Sequence, residues 1–310
     1  MRSGVMEIKT KDIILGVCTG LVASLIWGSW PVISKLAQIQ NITSIEITIL
    51  RFGFSGVILL PVLFYCSVSL RLLCTKGLIL AIGAGMPYVW LAIEGIALSS
   101  SAHFGIIAPS CMLVFSTMGS VFLLSETLTR QRLIGVLMII LGVLFVGLSN
   151  FGRMDAQVAL GDLMFVGCGA LWASFTLFSK YWGLKAWVAT AMVSVVSGLV
   201  CLPLYVVNQD ALFTHLSIST LLVQGAFQGV LVAIFALYSY SKSVSLLGAA
   251  KGAVFAALVP PFALCLGVII LHEVVTWIEV TGIICVVLGM LFALGLMKVQ
   301  SFRKRLPAKA

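Results

Sequence analysis

Along its 310 residues the chain alternates long apolar runs with short polar joints. Ten runs stand out, roughly Ile13–Ile33, Ile45–Cys66, Gly77–Leu98, His103–Leu124, Leu133–Ser149, Leu160–Phe178, Trp187–Val207, Leu221–Tyr240, Ala249–Leu271 and Trp277–Met297. Each is near the ~20 residues that an α-helix needs to span a hydrocarbon core. The joints carry turn formers, such as Ser99-Ser100-Ser101 and Asn208-Gln209-Asp210, and none can hold a soluble domain. The pattern predicts an all-α membrane protein of ten transmembrane helices. The first run has no small-residue cleavage site and passes into Trp-rich sequence, so it reads as a retained helix and not a signal peptide.

The pattern also repeats. Leu25-Ile-Trp-Gly-Ser-Trp-Pro-Val-Ile-Ser-Lys35 returns 145 positions later as Ala170-Leu-Trp-Ala-Ser-Phe-Thr-Leu-Phe-Ser-Lys180. Trp27 falls on Trp172, Trp30 on Phe175 and Lys35 on Lys180. Ser55, Gly56 and Pro61 fall on Ser197, Gly198 and Pro203 at an offset of 142. Ala102, Gly105, Glu126, Gly135 and Gly142 fall on Ala249, Gly252, Glu273, Gly282 and Gly289 at an offset of 147. Self-similarity of this kind marks a duplication. Five helices per copy is an odd number, so the second copy is expected to enter the membrane upside down. The expected organisation is a tail over 1–12, a first five-helix repeat over 13–150, a second, inverted repeat over 160–297 and a basic tail over 298–310. Inverted repeats build many secondary transporters, with the substrate held between the halves near mid-membrane.

Composition narrows the class. Hydrophobic residues make up 61% of the chain and charged residues 9%, against about 25% charged in soluble domains. The net charge of +9 would suggest nucleic acid in a soluble protein. Here the basic residues sit in short joints and tails, without interleaved exposed aromatics, so no nucleic-acid partner is expected. With both termini cytoplasmic, 16 of the 19 Lys and Arg residues fall inside and only Lys35, Arg51 and Arg153 outside, as the positive-inside rule requires. The eight cysteines include no C-x-x-C pair, so neither a disulfide framework nor a metal site is expected.

Trp27-Gly28 with Lys35 in helix 1, Arg51-Phe52 in helix 2, Ser125-Glu126-Thr127-Leu128 after helix 4, and Gly135 with Gly142 in helix 5 resemble the EamA family of the drug/metabolite transporter superfamily. Trp172, Lys180, Pro260, Glu273, Gly282 and Gly289 repeat the pattern more loosely. The resemblance implies ten helices in two inverted five-helix repeats. It also implies export or exchange of small metabolites, often amino acids, across the bacterial inner membrane. The second copy departs in three ways. Ala173 stands where the first copy has Gly28, and helix 7 has no arginine matching Arg51. Pro109 lies 17 residues before Glu126, but Pro260 and Pro261 lie 13 and 12 before Glu273. Proline removes a helix hydrogen bond, so helices 4 and 9 are expected to bend at different heights.

Glu94 is an ionisable residue inside helix 3, on one face with Pro87 and Trp90. Charged groups at bilayer depth usually face a cavity or a partner. Glu94 is read either as the anchor of a substrate amine or a coupling proton, or as a carboxylate reaching interfacial water. His103, which titrates near neutral pH, opens helix 4 as a proton relay or a helix-end polar group. Lys251 opens helix 9 among small residues, meeting a carboxylate or snorkelling to the surface. Trp27, Trp30, Tyr88, Trp90, Trp172, Phe175 and Tyr238 are the candidate lining of a central cavity. An apolar pocket with few polar anchors suits weakly polar or zwitterionic metabolites. Phosphorylated sugars would need several convergent basic groups.

The expected function is a secondary active transporter that exports or exchanges a small metabolite, such as a neutral amino acid, by alternating access, with proton coupling a further possibility. The alternatives are an uncoupled facilitator or channel and, more remotely, an intramembrane enzyme. The sequence holds no G-x-x-x-x-G-K-[ST] nucleotide loop. His272-Glu273 is followed by Val-Val-Thr and not by the second His of a zinc-hydrolase motif. No cofactor is expected. The partners are a small-molecule substrate and the lipid bilayer, and both halves lie in one chain, so a monomer is expected to suffice.

Overall fold

The computed structural model describes residues 10–148, 156–208, 212–247 and 249–297. The basic tail, the start of the N-terminal tail and the joint at 149–155 lie outside the described residues. Every described element is helical. In chain order these are α1 (Thr10–Ile39), α2 (Ser44–Tyr65), α3 (Leu70–Leu98), α4 (Ser101–Leu123), α5 (Arg130–Leu148), α6 (Ala156–Tyr181), α7 (Ala186–Asn208), α8 (Ile218–Leu247), α9 (Ala249–Ala256, resumed as Val259–Leu271) and α10 (Trp277–Ala293). Among the described residues nine helical spans are long and apolar enough to cross a membrane, and Trp277–Ala293 is a shorter apolar helix. The outward faces are apolar, with residues such as Val57, Phe64 and Leu163 largely exposed. A soluble protein does not present such a surface, so the chain is a multi-pass membrane protein.

Local sequence sets the ends and breaks of these helices. Thr43 and Glu46 form a capping box at the start of α2, and Thr276 and Glu279 form another at α10. Each pair satisfies N–H groups that a helix start leaves unpaired. α3 breaks at Gly85, just before Pro87. The freed Met86 N–H donates to Ser197 Oγ of α7 at 3.1 Å. α9 stops at Ala256 and restarts at Val259, which puts Pro260 in the first turn of the new segment, where a missing N–H costs nothing. α4 carries Pro109 without interruption. The tandem prolines of α9 interrupt it, and the single proline of α4 does not.

Lipid tails are as apolar as leucine, so helices in a membrane associate through small residues and close packing. α5 lies along α10, α2 along α7, α4 along α6, and α1 against α8 and α9. Two of these seams are reciprocal. A Cβ on Gly135 would sit 2.6 Å from the Gly289 carbonyl oxygen, and one on Gly289 would sit 2.8 Å from that of Gly135. Gly142 and Gly282 oppose each other in the same way, at 2.5 and 2.8 Å. Between α2 and α7, Gly56 meets Ser194 and Gly198 meets Phe52, each at 3.0 Å from a carbonyl oxygen. Positions matched by the offsets of 147 and 142 thus meet crosswise.

The bundle has two ends. One carries the described chain ends and is cross-linked by Lys180 with Glu126, Lys76 over Trp182, and Gln131 with Met297. The other, here the far end, joins His215 to Asn41, Glu46 to Phe213 and Ser101 to Glu273.

Candidate functional site

A cavity of about 420 Å³ lies between α1, α2, α3, α6, α7 and α8. Trp27, Trp172 and Phe175 give it aromatic walls, while Thr176, Thr190 and Ser194 add hydroxyls. It runs from Arg51 towards Lys180, Leu184 and Ala186, at the end that carries the chain termini. Towards the far end it is stopped by a buried aromatic layer. Trp30 stacks on Tyr88 at 6.3 Å and meets Phe104 edge-on at 5.1 Å, and Phe104 meets Phe165 at 5.2 Å.

α8 helps to shape this wall through an unusual stretch. Ala226–Phe235 winds as a π-helix, a form that often marks functional positions. It carries the fully buried Gln228, whose Oε1 accepts the Trp30 indole N–H at 2.7 Å while its amide donates to Ser34 Oγ at 3.3 Å. Trp30 is therefore held at both face and edge.

Arg51 is the charged group at the head of the cavity. Its side chain is 6% exposed, and its guanidinium lies over the Trp30 ring at 5.1 Å. Nε and Nη1 have no hydrogen-bond partner among the described residues. Burying such a group costs ~2.5–3.5 kcal/mol on membrane-insertion scales, which the cation–π contact, ~0.5–2 kcal/mol, only partly offsets. No acidic side chain lines the cavity among the described residues. At its mouth Lys180 pairs with Glu126 at 2.5 Å, and Arg132 pairs with the same carboxylate at 2.9 Å. The hydrogen bonds from Lys180 and Arg132 hold Glu126, which lies between α4 and α5, down at about 2.

A second polar centre lies at the far end. His103 is 4% exposed at the first turn of α4. Its Nδ1 lies 2.9 Å from Asp162 of α6, and its Nε2 lies 3.0 Å from Glu279 of α10. Ser99 Oγ donates to Asp162 at 2.8 Å. The other oxygen of Glu279 accepts the Thr276 N–H at 2.6 Å, so one carboxylate both caps α10 and holds the histidine. Beside them Glu273 accepts from Ser101 N–H and Oγ at 2.9 and 2.8 Å and from Ala102 N–H at 3.1 Å. Lys35 donates to the Ile96 carbonyl at 2.6 Å, at the end of α3. A smaller cavity of about 220 Å³ opens beside His103, Glu273 and Glu279.

The sequence candidates separate accordingly. Trp27, Trp172 and Phe175 line the central cavity, while Trp30 and Tyr88 form the layer behind it. Trp90 and Tyr238 are each 47% exposed and are not among the lining residues. Glu94 is half-buried one turn from the end of α3, on the face of exposed Trp90 and Ala97. It has no hydrogen-bond or ion-pair partner among the described residues and lines neither cavity. Its helix face is the one turned away from the bundle. The side chain of Lys251 lies outside the described residues. Arg51, Gln228, Asp162 and Glu279 were missed as site residues. Their signal was present, since each is a polar group within an apolar run.

A family model described as the EamA-like transporter family matches residues 14–148 and again 159–295. The chain is 25% identical over 286 residues to "Uncharacterized transporter YetK" of Bacillus subtilis (strain 168), covering 89% of this chain and 86% of that protein. A solved crystal structure shares the fold with a TM-score of 0.61 at 17% identity, covering 91% of this chain and 97% of that one.

Proposed function

The chain belongs to the EamA-like transporter family, and we propose that it exports or exchanges a small metabolite, such as a neutral amino acid, by alternating access in the bacterial inner membrane. That it is a membrane transporter follows from the family and from its likeness to a transporter. The rest is our reading. In it Trp277–Ala293 is the tenth span, the halves are inverted repeats, and one chain suffices. The 16-to-3 distribution of Lys and Arg favours cytoplasmic termini. The cavity then opens to the cytoplasm, and the aromatic layer with the His103 cluster forms the outer closure.

The observation that carries this reading is the central cavity between six helices, with exposed Lys180 at one end of its lining and buried Arg51 at the other. Transport by alternating access needs a central site reached from one side at a time. In this reading proton coupling belongs to His103 with Asp162 and Glu279, which join α4, α6 and α10. Glu94 has no such connection. An uncoupled facilitator is favoured by one observation, the lack of any acidic group in the cavity lining among the described residues.

The test is counterflow in proteoliposomes over a panel of radiolabelled amino acids, with and without a pH gradient. Gradient-accelerated exchange that becomes insensitive in His103→Gln, but not in Glu94→Gln, supports the coupled exporter. Exchange unaffected by the gradient selects the facilitator. No exchange of any amino acid removes that substrate class.

A further inference from the structure

We propose that the central cavity recognises its substrate by a carboxylate, which Arg51 holds, with an apolar body lying between Trp27, Trp172 and Phe175. This rests on the reading of the cavity as the transport site. The geometry supplies three constraints. First, Arg51 is buried at the head of the cavity with two guanidinium nitrogens unpartnered among the described residues. A guanidinium offers a planar fork that matches a carboxylate in a bidentate way. Its contact at 5.1 Å with the Trp30 ring, itself pinned by Gln228, limits where the guanidinium can sit. An anion arriving there meets a preorganised donor, so little ordering opposes binding.

Second, charge sets the valence. Arg51 and Lys180 are the charged side chains of the lining among the described residues, and Lys180 is already paired with Glu126. Of these two, Arg51 alone has no carboxylate partner among the described residues, which suits one carboxylate at the head of the cavity. A phosphate dianion would call for several convergent cations. A cationic amine would meet Arg51 with no carboxylate to offset it.

Third, the volume and walls set the body. About 420 Å³ falls within the ~300–1,000 Å³ range of small-molecule sites. The aromatic faces accept a flat or branched apolar group. A zwitterionic amino acid and a simple monocarboxylate share the recognised group. They differ in whether an ammonium must also be met, which here falls to the Trp27 and Trp172 faces and the Thr190 and Ser194 hydroxyls.

The experiment measures binding to the purified full chain by tryptophan fluorescence and thermal shift. It uses three probes of one body, namely 3-phenylpropionate, L-phenylalanine and 2-phenylethylamine. The proposal expects the two carboxylates to bind and the amine to fail. Phenylpropionate binding more tightly than phenylalanine identifies an organic-anion site, and the reverse order identifies an amino-acid site. Arg51→Gln should weaken carboxylate binding at least tenfold, and Arg51→Lys should retain part of it. Binding of the amine as tightly as the acids overturns the assignment. So does an unchanged affinity in a folded Arg51→Gln, or no binding of either carboxylate to the native protein. The comparison among probes needs no variant, so it stands even where Arg51→Gln does not fold. A protein that binds both carboxylates but carries neither in proteoliposomes keeps the Arg51 site and loses the transport reading.

Discussion

The carboxylate of Glu273 accepts the backbone N–H of Ser101 at 2.9 Å, across 172 positions of chain. It accepts from Ser101 Oγ and Ala102 N–H as well. Glu273, two positions past the end of α9, therefore serves as an N-terminal anion for α4, where a helix dipole favours negative charge. A hydrogen bond to a charged group contributes ~1.5–3 kcal/mol. Glu273→Gln is expected to release the first turn of α4. Hydrogen exchange at residues 101–105 should then accelerate about tenfold, the factor that ~1.4 kcal/mol represents. Unchanged protection would mean that the clasp holds nothing.

His103 leads to a pH prediction with a definite sign. As an imidazolium it donates to both Asp162 and Glu279, but as a neutral ring it donates to one only. Around it lie Glu273 and, at the end of α1, Lys35. The protonated ring should hold the far end shut, and raising pH until it gives up a proton should loosen it. Exchange limited by opening of that end should rise with pH in the native protein. The profile should be flat in His103→Gln, where no charge is gained or lost. A pH profile identical in the two proteins would remove the histidine from gating.

At the opposite end the behaviour should differ. Glu126 is held at about 2 by Lys180 and Arg132. Its folded value is depressed, so its contribution to stability is present above the ordinary carboxylate range and fades as pH falls towards about 2. Within the neutral range the Glu126 cluster keeps one charge state. Its carboxylate is 30% exposed and Lys180 is 62% exposed, and such pairs contribute ~0–1 kcal/mol. Glu126→Gln should move the unfolding midpoint little, with a difference that does not change between mildly acidic and mildly basic buffer. A pH-dependent difference would count against the assignment.

The glycine seam should be intolerant of one carbon. A Cβ at Gly142 would stand 2.5 Å from the Gly282 carbonyl oxygen, and overpacking typically costs ~1–3 kcal/mol. Gly147 meets nothing within 4 Å, and alanine there gains up to ~1 kcal/mol of helix propensity. Thermal unfolding in detergent should place Gly142→Ala below the native protein and Gly147→Ala at or slightly above it.

The runs of apolar residues and their repeat offsets were enough to locate the helices, because a bilayer demands both length and continuity. They did not reveal how far helices extend past the apolar core. α1 runs from Thr10 to Ile39, beyond the expected Ile13–Ile33, because polar residues such as Lys35 and Gln38 find carbonyl partners on α3. The cavity walls were legible at Trp27, Trp172 and Phe175, where aromatic positions recur in the repeat. Glu94 drew attention as a lone charge in an apolar run. Hydropathy does not tell which side of a helix meets lipid, and Glu94 shares its face with exposed Trp90. The His103 cluster was hidden for another reason. Its members are 59 and 176 residues apart in sequence and meet only through packing. Glu126 and Glu273 are repeat equivalents, yet one is clasped by Lys180 and Arg132 and the other by helix N–H groups. A sequence match cannot carry that asymmetry, which arises because the two ends of the bundle are packed differently.

The crosswise glycine contacts, Gly135 with Gly289 and Gly142 with Gly282, have a consequence for descent and for assembly. A surface that answers itself in this way is what two separate copies of one five-helix ancestor would present to each other. Nicking the chain between residues 148 and 156 would leave every one of those glycine contacts in place. Two fragments made separately carry, in α5 and α10, the means to find each other again.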